Sequence, residues 1–473
     1  MERNRSATCR ARRARGVRMG WLGAPLIMLC SLASGTAWAQ HQSYNLPAAV
    51  PLEQAAQLEA QRRALFQKIQ DDPSDMDAGF AYAVLSTRLG DYEAAIATYE
   101  RLLVLRPATP RLQLELAALY FRLGAYAPAR QLFERVKAGA DTPAEVKRRI
   151  DGYLVAMDAA GGRAHGGFSA RVSIGARYDS NANAAPDGST INLNGIDFEL
   201  SPDSRAASDL SGQLGAQLRY QRPVSRNGDS FDASLAASSN RYRALDHLDS
   251  DVAELRLGPD FSLNRWGIHD GHLALSAGFA QSWLDGGRYM HATAVTAGFR
   301  KPVGREAAIA LGLDRREETY TPAAAYASAR GFSGERYRGT FTYTRQVGDD
   351  WQWMLSPALE RLAARTDYNA YWEPQLNLGV GYRFPALLGD GSQPWTLVLS
   401  GQVARRRNDA PMPVVSQTET QRGNEWLLQA VQTIPLRGKR ELQLYTGYHR
   451  VNSNYDLRDY ASGFVGFSIS QNF

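Results

Sequence analysis

"FSARVSIGARY", residues 168–178, decides how the rest of the chain is read. Phe168, Ala170, Val172, Ile174, Ala176 and Tyr178 alternate with Ser169, Arg171, Ser173, Gly175 and Arg177. A period of two is a strand with one apolar and one polar side, the pattern of a strand held between lipid and a wet lumen. The pattern returns thirteen more times, beginning at Leu210–Tyr220 and ending at Gly463–Phe473. Ala307–Asp314, Tyr337–Arg345, Trp395–Arg405 and Trp426–Ile434 are among the returns. Fourteen is an even number, as a closed antiparallel barrel requires when its two ends lie on one side.

The connections sharpen this expectation. Segments after even-numbered strands are short: "RPVSRNGD" at 222–229, "KPVG" at 301–304, "QVGDD" at 346–350 and "LRGK" at 436–439. Several after odd-numbered strands are long, at 179–209, 315–336 and 406–425. Short turns at one end and long loops at the other are the arrangement of outer-membrane barrels. Pro223, Pro302, Pro385 and Pro435 recur where strands run into short turns, where a missing N–H costs little. Trp and Tyr near strand ends fit interfacial girdles. The barrel is expected over 165–473. Its last strand, "FVGFSISQNF", sets Val465, Phe467, Ile469 and Phe473 on one face. That ending resembles the terminal signal read by the bacterial barrel-assembly machinery.

Upstream the period changes. Between 52 and 161 the pattern is helical and repeats every 34 residues: Pro73 recurs as Pro107, Ala83 as Ala117, Ala95 as Ala129 and Tyr99 as Phe133. Leu89-Gly90 and Tyr92 return as Leu123-Gly124 and Tyr126. The period, the glycine at the inter-helix turn and the small residues at helix contacts resemble the tetratricopeptide repeat. On that resemblance the concave face carries Phe80, Val84, Arg88, Leu114, Phe121 and Arg122, a candidate groove for protein cargo. Each of them also fits an ordinary surface or inter-helix position. The expected fold class is therefore multidomain, α then all-β: tetratricopeptide-type helical repeats followed by a 14-stranded antiparallel transmembrane β-barrel.

The first 39 residues hold seven arginines, an apolar run from Trp21 to Leu32 and the ending Ala37-Trp38-Ala39, the three regions of a secretory signal peptide. Residues 40–51 are expected to be a linker. Removing seven basic and one acidic residue from totals of 54 and 48 leaves 47 of each, so the mature chain has no net charge and none of the basic excess that nucleic acid would demand. Both cysteines, Cys9 and Cys30, leave with the leader, which removes disulfide and thiol chemistry.

After the first strand comes "YDSNANAAPDG" at 178–188. Asp179, Asn181 and Asn183 are spaced like calcium ligands, but Ala184 stands where the loop needs Gly and Thr190 where a bidentate Glu closes the cage, so no metal is expected. Asn and Asp suit the rim where a strand ends, because they tolerate unusual backbone angles and cap their own turns. A short repeat domain, then a barrel whose first strand runs into this turn, resembles the surface lipoprotein assembly modulator family, Slam. Tyr178, Asp179, Asn181, Asn183, Ala185 and Pro186 carry the likeness most sharply, and Ser180 departs from the family's commoner Asn. The resemblance implies an outer-membrane translocon, its helical domain in the periplasm, that delivers lipoproteins or related soluble proteins to the cell surface. Expected partners are protein cargo, the barrel-assembly machinery and outer-membrane lipid, with no nucleic acid and no cofactor. A polysaccharide exporter is the alternative, although such proteins generally carry more repeats. An enzyme is not expected: the seven histidines include no ligand-spaced helical pair, no nucleophile motif occurs, and Gly286-Gly287 lacks the context of a phosphate loop.

Overall fold

A computed structural model describes residues 52–123, 125–159, 167–225, 228–268, 270–304, 306–322, 328–387 and 393–473. The expected leader at 1–39 and linker at 40–51 lie outside the described residues, as do Gly124, Gly161-Gly162 and His269.

Six helices come first: α1 (Leu52–Asp71), α2 (Met76–Leu89), α3 (Tyr92–Leu105), α4 (Pro110–Arg122), α5 (Tyr126–Ala138) and α6 (Ala144–Ala159). Local chemistry sets their ends. Asp75 caps α2 by accepting from the backbone N–H of Asp77 and Ala78 at 3.0 and 2.9 Å. Gly90 stops the helix in the left-handed region at φ 79°. Asp91 opens α3 by accepting from Ala94 N–H at 3.2 Å, and Pro110 occupies the first turn of α4, where its missing N–H is harmless. The repeat positions make the core: Ala83, Ala95, Ala117 and Ala129 are fully buried, and Tyr99 and Phe133 are nearly so. Small side chains there bring paired helices close, and the two rings fill the space between repeats.

Fourteen strands then close into one antiparallel barrel: β1 (Gly167–Asp179), β4 (Asp209–Pro223), β5 (Ser230–Tyr242), β6 (Ser250–Ser262), β7 (His272–Leu284), β8 (Gly287–Val303), β9 (Ala307–Tyr320), β10 (Gly334–Val347), β11 (Trp351–Ala364), β12 (Tyr371–Phe384), β13 (Trp395–Pro411), β14 (Thr420–Leu436), β15 (Arg440–Ser453) and β16 (Tyr460–Asn472). A separate hairpin, β2 (Thr190–Leu193) with β3 (Ile196–Glu199), stands inside the first long connection. Each barrel strand pairs with its neighbours in sequence, and β1 pairs with β16 to finish the ring. That seam is the shortest ladder, with nine register pairs against thirteen between β1 and β4. Both barrel termini lie at the end carrying the short turns.

The outward face is apolar and uncovered: Ile174, Val295, Leu313 and Leu428 are between 61% and 66% exposed. An apolar surface continuous around a closed barrel is what lipid, not water, accommodates. Aromatic side chains bound it. Phe168, Trp351, Trp353 and Phe473 stand towards the turn end, and Tyr337, Trp372, Trp426 and Tyr448 towards the loop end. Ten residues separate Phe168 from Tyr178, which on a tilted strand is about 25 Å, the height of a membrane barrel's apolar band.

Two long connections are shorter than the sequence pattern suggests. β9 runs on through Arg315–Tyr320 and β10 begins at Gly334; β13 continues to Pro411 and β14 begins at Thr420. The strands carry on past the apolar band, where alternation is between charged residues facing outward and charged residues facing inward. Arg315 pairs outward with Glu335 while Arg336 pairs inward with Glu318 at 3.0 Å. A search for alternating apolar residues stops where the lipid stops.

Candidate functional site

Three places converge on the ends of the barrel: the helical face at the turn end, the polar lumen, and the signature turn at the loop end.

Along α2, Phe80, Val84 and Arg88 follow one another about a turn apart; along α4, Leu114 and Phe121 are about two turns apart and Arg122 is next to Phe121. The Arg111 guanidinium lies 4.3 Å over the Phe80 ring, which also meets Tyr99 edge-on at 6.0 Å. Phe80 and Leu114 are half-buried against the core, Val84 is half-buried and Arg88 is exposed. Phe121 turns towards the last helices, meeting Tyr153 at 5.1 Å and Tyr126 at 5.5 Å. Arg122 points elsewhere: its Nη2 donates to Asp270 Oδ2 at 2.7 Å, across 148 residues. Asp270 belongs to the turn between β6 and β7, held by its own N–H donating to Asn264 Oδ1 at 2.7 Å. The same guanidinium lies 4.7 Å over the buried Tyr92 ring. Burial pushes the Tyr92 phenol well above its usual range, with the Asp270 carboxylate pushing the same way and Arg122 opposing. Beside this contact Gly228, at φ +91°, lets the β4–β5 turn approach α4 so closely that a Cβ there would sit 2.7 Å from Leu123 O. The helical domain is thus seated on the short turns next to β4–β7.

Inside the barrel, the middle of the wall is small, with Ser173, Gly215, Gly312, Gly379 and Ser400 at inward positions. Towards the loop end the inward residues become charged and pair across strands. Arg336 donates to Glu318 at 3.0 and 3.1 Å, to Tyr371 Oη at 2.8 Å and to Glu360. Tyr371 also donates to Glu360 at 2.8 Å. Arg406 reaches Glu373 at 2.5 Å and lies 4.1 Å over the Tyr371 ring, while His449 Nε2 and Glu425 Oε1 meet at 3.0 Å. Glu318, Glu360, Glu373, Tyr371 and His449 are each 5% exposed or less. Buried carboxylates at that depth are tolerated because each has a cation or hydroxyl partner. None of these residues stands out in the sequence by itself. The signal was present as charged residues at every second position, but only register across strands joins them.

The signature turn follows directly from β1. Asp179 takes a bidentate interaction from Arg177, with contacts of 2.7 to 3.0 Å. Asn181 Oδ1 accepts from Ala185 N–H at 3.0 Å, and its Nδ2 donates to Ala185 O at 2.7 Å and to Ala461 O at 3.1 Å. Asn183 bridges to Arg205 O at 2.8 Å and Ala207 N–H at 3.0 Å. Ser180 N–H donates to Gly463 O at 2.9 Å, and Asp187 accepts from Ala461 N–H at 2.9 Å. Ala184 takes φ +47°, the left-handed backbone that glycine would take more cheaply. Ala185 and Pro186 are buried, while Tyr178 faces outward and is 45% exposed. The turn prolongs the β1–β16 seam beyond the strands and clasps it. Its side-chain oxygens are directed to guanidinium and backbone donors, and no metal-ligand cluster occurs among the described residues. Farther along the same connection, Asn194 N–H donates to Val415 O at 2.8 Å, tying the β2–β3 hairpin to the β13–β14 loop across the mouth. On β16, Val465, Phe467 and Ile469 face outward between 40% and 54% exposed, and Phe473 N–H closes on Ala170 O at 2.9 Å.

A family model described as TPR repeat matches residues 87–124. No curated protein matches the chain in sequence. Among solved structures, a bacterial polysaccharide outer membrane secretin is 9% identical over 64% of this chain and 98% of its own, at TM-score 0.35. CdiB from Escherichia coli is 12% identical over 64% and 63%, at TM-score 0.36. The Yersinia enterocolitica type III secretion chaperone SycD, in complex with a peptide of the translocator YopD, is 19% identical over 28% and 92%, at TM-score 0.21. This chain is a tetratricopeptide-type helical region followed by a closed 14-stranded antiparallel β-barrel.

Proposed function

We propose that the chain is an outer-membrane translocon of the surface lipoprotein assembly modulator type, with its helical domain in the periplasm and its long loops outside. The helical domain receives a protein segment, a lipoprotein or related exported protein, and the barrel gives it passage or folds it outward. The observation that carries this is the seat of the repeat domain on the barrel's short turns through Arg122 and Asp270, at the entrance to a polar lumen lined towards its far end by ion pairs. A repeat face suited to a short protein segment and held at the turn end would hand that segment to the pore. The protein performs no covalent chemistry in this scheme. Cargo folding at the surface prevents return and supplies the direction.

Deleting 52–160 tests it. The barrel is expected to assemble, since its backbone bonds are satisfied within the ring, while surface-exposed cargo falls at least tenfold in protease shaving of intact cells. Unchanged cargo exposure with lost secreted polysaccharide would replace the translocon with a sugar exporter.

A further inference from the structure

We propose that the outward face of β12–β14, at the loop end, binds the phosphorylated headgroup of an outer-leaflet glycolipid, with Arg407 and Arg422 holding one phosphate between them. The site rests on the orientation proposed above, long loops outward. Arg407 and Arg422 stand directly opposite each other in the β13–β14 ladder, and Arg405 lies two residues before Arg407 on the same face. All three are exposed, and among the described residues none of them is in an ion pair. Like charges directly opposite in an antiparallel pair repel. Other outward arginines at this end are arranged differently: Arg241 has Asp251, Arg315 has Glu335, Arg361 has Asp409 and Arg450 has Asp459. Asp409, two residues after Arg407, is taken by Arg361, so among the described residues no carboxylate pairs with Arg405, Arg407 or Arg422 and the β13–β14 pair presents a cationic surface.

Position and shape select the anion. Trp372 is the cross-strand partner of Arg407, and Trp426 lies four residues beyond Arg422 on the same face, so the arginines sit just above the aromatic girdle, at headgroup height. A charge there costs the barrel little, about 0–1 kcal/mol against about 2–4 at the midplane. A guanidinium fork matches two phosphate oxygens, so two facing forks clamp one group. Next to them, after the register shift between Arg407 and Pro411, opens a cleft of about 340 Å³ lined by Trp372, Arg407, Asn408, Asp409 and Thr420. Asn408, opposite the luminal Tyr371 in the β12–β13 ladder, faces the other side of the wall, so the outward groups of the cleft on these two strands are Trp372, Arg407 and Asp409. The volume is that of a small-ligand site, at the lower end of about 300–1,000 Å³.

The test uses the mature protein in phosphatidylcholine nanodiscs doped with bisphosphorylated lipid A or with its fully dephosphorylated form, bound lipid being counted by native mass spectrometry. The wild type is expected to retain the bisphosphorylated form at least tenfold over the other. Arg407→Gln with Arg422→Gln is expected to abolish the preference, and Arg407→Lys with Arg422→Lys to keep part of it. Arg345→Gln, an outward arginine near the turn end, is expected to leave it intact. Heat-modified gel migration of every variant reports a folded barrel. Equal retention of the two lipids by the wild type, an unchanged preference in the double Gln variant, or full displacement by millimolar inorganic phosphate would each overturn the site. Wild-type protein that fails to sediment with membranes would remove the outer-membrane reading as well. Cargo display lost on deletion of 52–160 is a separate result that the lipid experiment does not touch.

Discussion

Asn181 sends both halves of its carboxamide into backbone, to Ala185 on its own turn and across the seam to Ala461. Asn181→Ala leaves those buried groups without partners, at a cost of about 1–3 kcal/mol. We expect the variant barrel to convert to its unfolded gel position at a lower temperature than wild type. Chelator or added calcium should move neither midpoint, because the turn's oxygens accept from protein donors; a calcium-dependent midpoint lost in Asn181→Ala would make the turn a metal loop after all. From the sequence, the residue types and spacing showed that this was a rim turn without a closing Glu. One donor to the turn's oxygens, Ala461 N–H onto Asp187, lies 274 residues away, which no local spacing reveals.

At the scale of elements, the helical repeat depends on fully buried alanines. Ala117→Leu adds volume where α4 packs in the core, an overpacking that costs about 1–3 kcal/mol. The helical signal in far-ultraviolet circular dichroism should melt earlier, while the strand signal and heat-modified migration stay as in wild type. Loss of both together would mean that the helices and barrel unfold as one unit. Repeat spacing was legible because both helix pairs use small contact residues, and the first is capped by Asp75 and Asp91 and turned by a left-handed Gly90. Strand number and order were legible for a related reason, since lipid on one side and water on the other impose a period of two. The ends of β9, β10, β13 and β14 were not, because above the girdle both faces meet water and charged residues replace apolar ones.

For the whole molecule, two contacts set how the parts work together. Arg122→Glu should loosen the helical domain from the turns, Asp270→Arg should do the same, and the double exchange should restore the contact. Spin-label distances between α4 and the β6–β7 turn would widen in each single variant and return in the exchange; three identical distributions would show that the ion pair does not hold the domain. The luminal network predicts a gate. Removing one partner alone leaves a buried charge, at about 3–5 kcal/mol, so the charges are best removed together: Arg336→Met with Glu318→Gln and Glu360→Gln. In planar bilayers this variant should show larger or more frequent openings than wild type. Identical currents would place the closure elsewhere, at the hairpin that crosses the mouth.

The sequence by itself determined the solvent of each face and therefore the kind of fold: a backbone crossing lipid must satisfy its hydrogen bonds within a closed ring, and helices spaced by 34 residues must stack. Tertiary structure alone decided which charges meet. Arg336, Arg406, Arg407 and Arg422 are alike as letters, two facing a lumen that supplies carboxylates and two facing outward where none of the described carboxylates pairs with them. Phe80 and Arg122 fall on corresponding helices of the repeat, yet one is covered by Arg111 and the other bonds to the barrel. Pairing between distant residues depends on register and on the direction of each strand's faces, and those are fixed only when the ring closes.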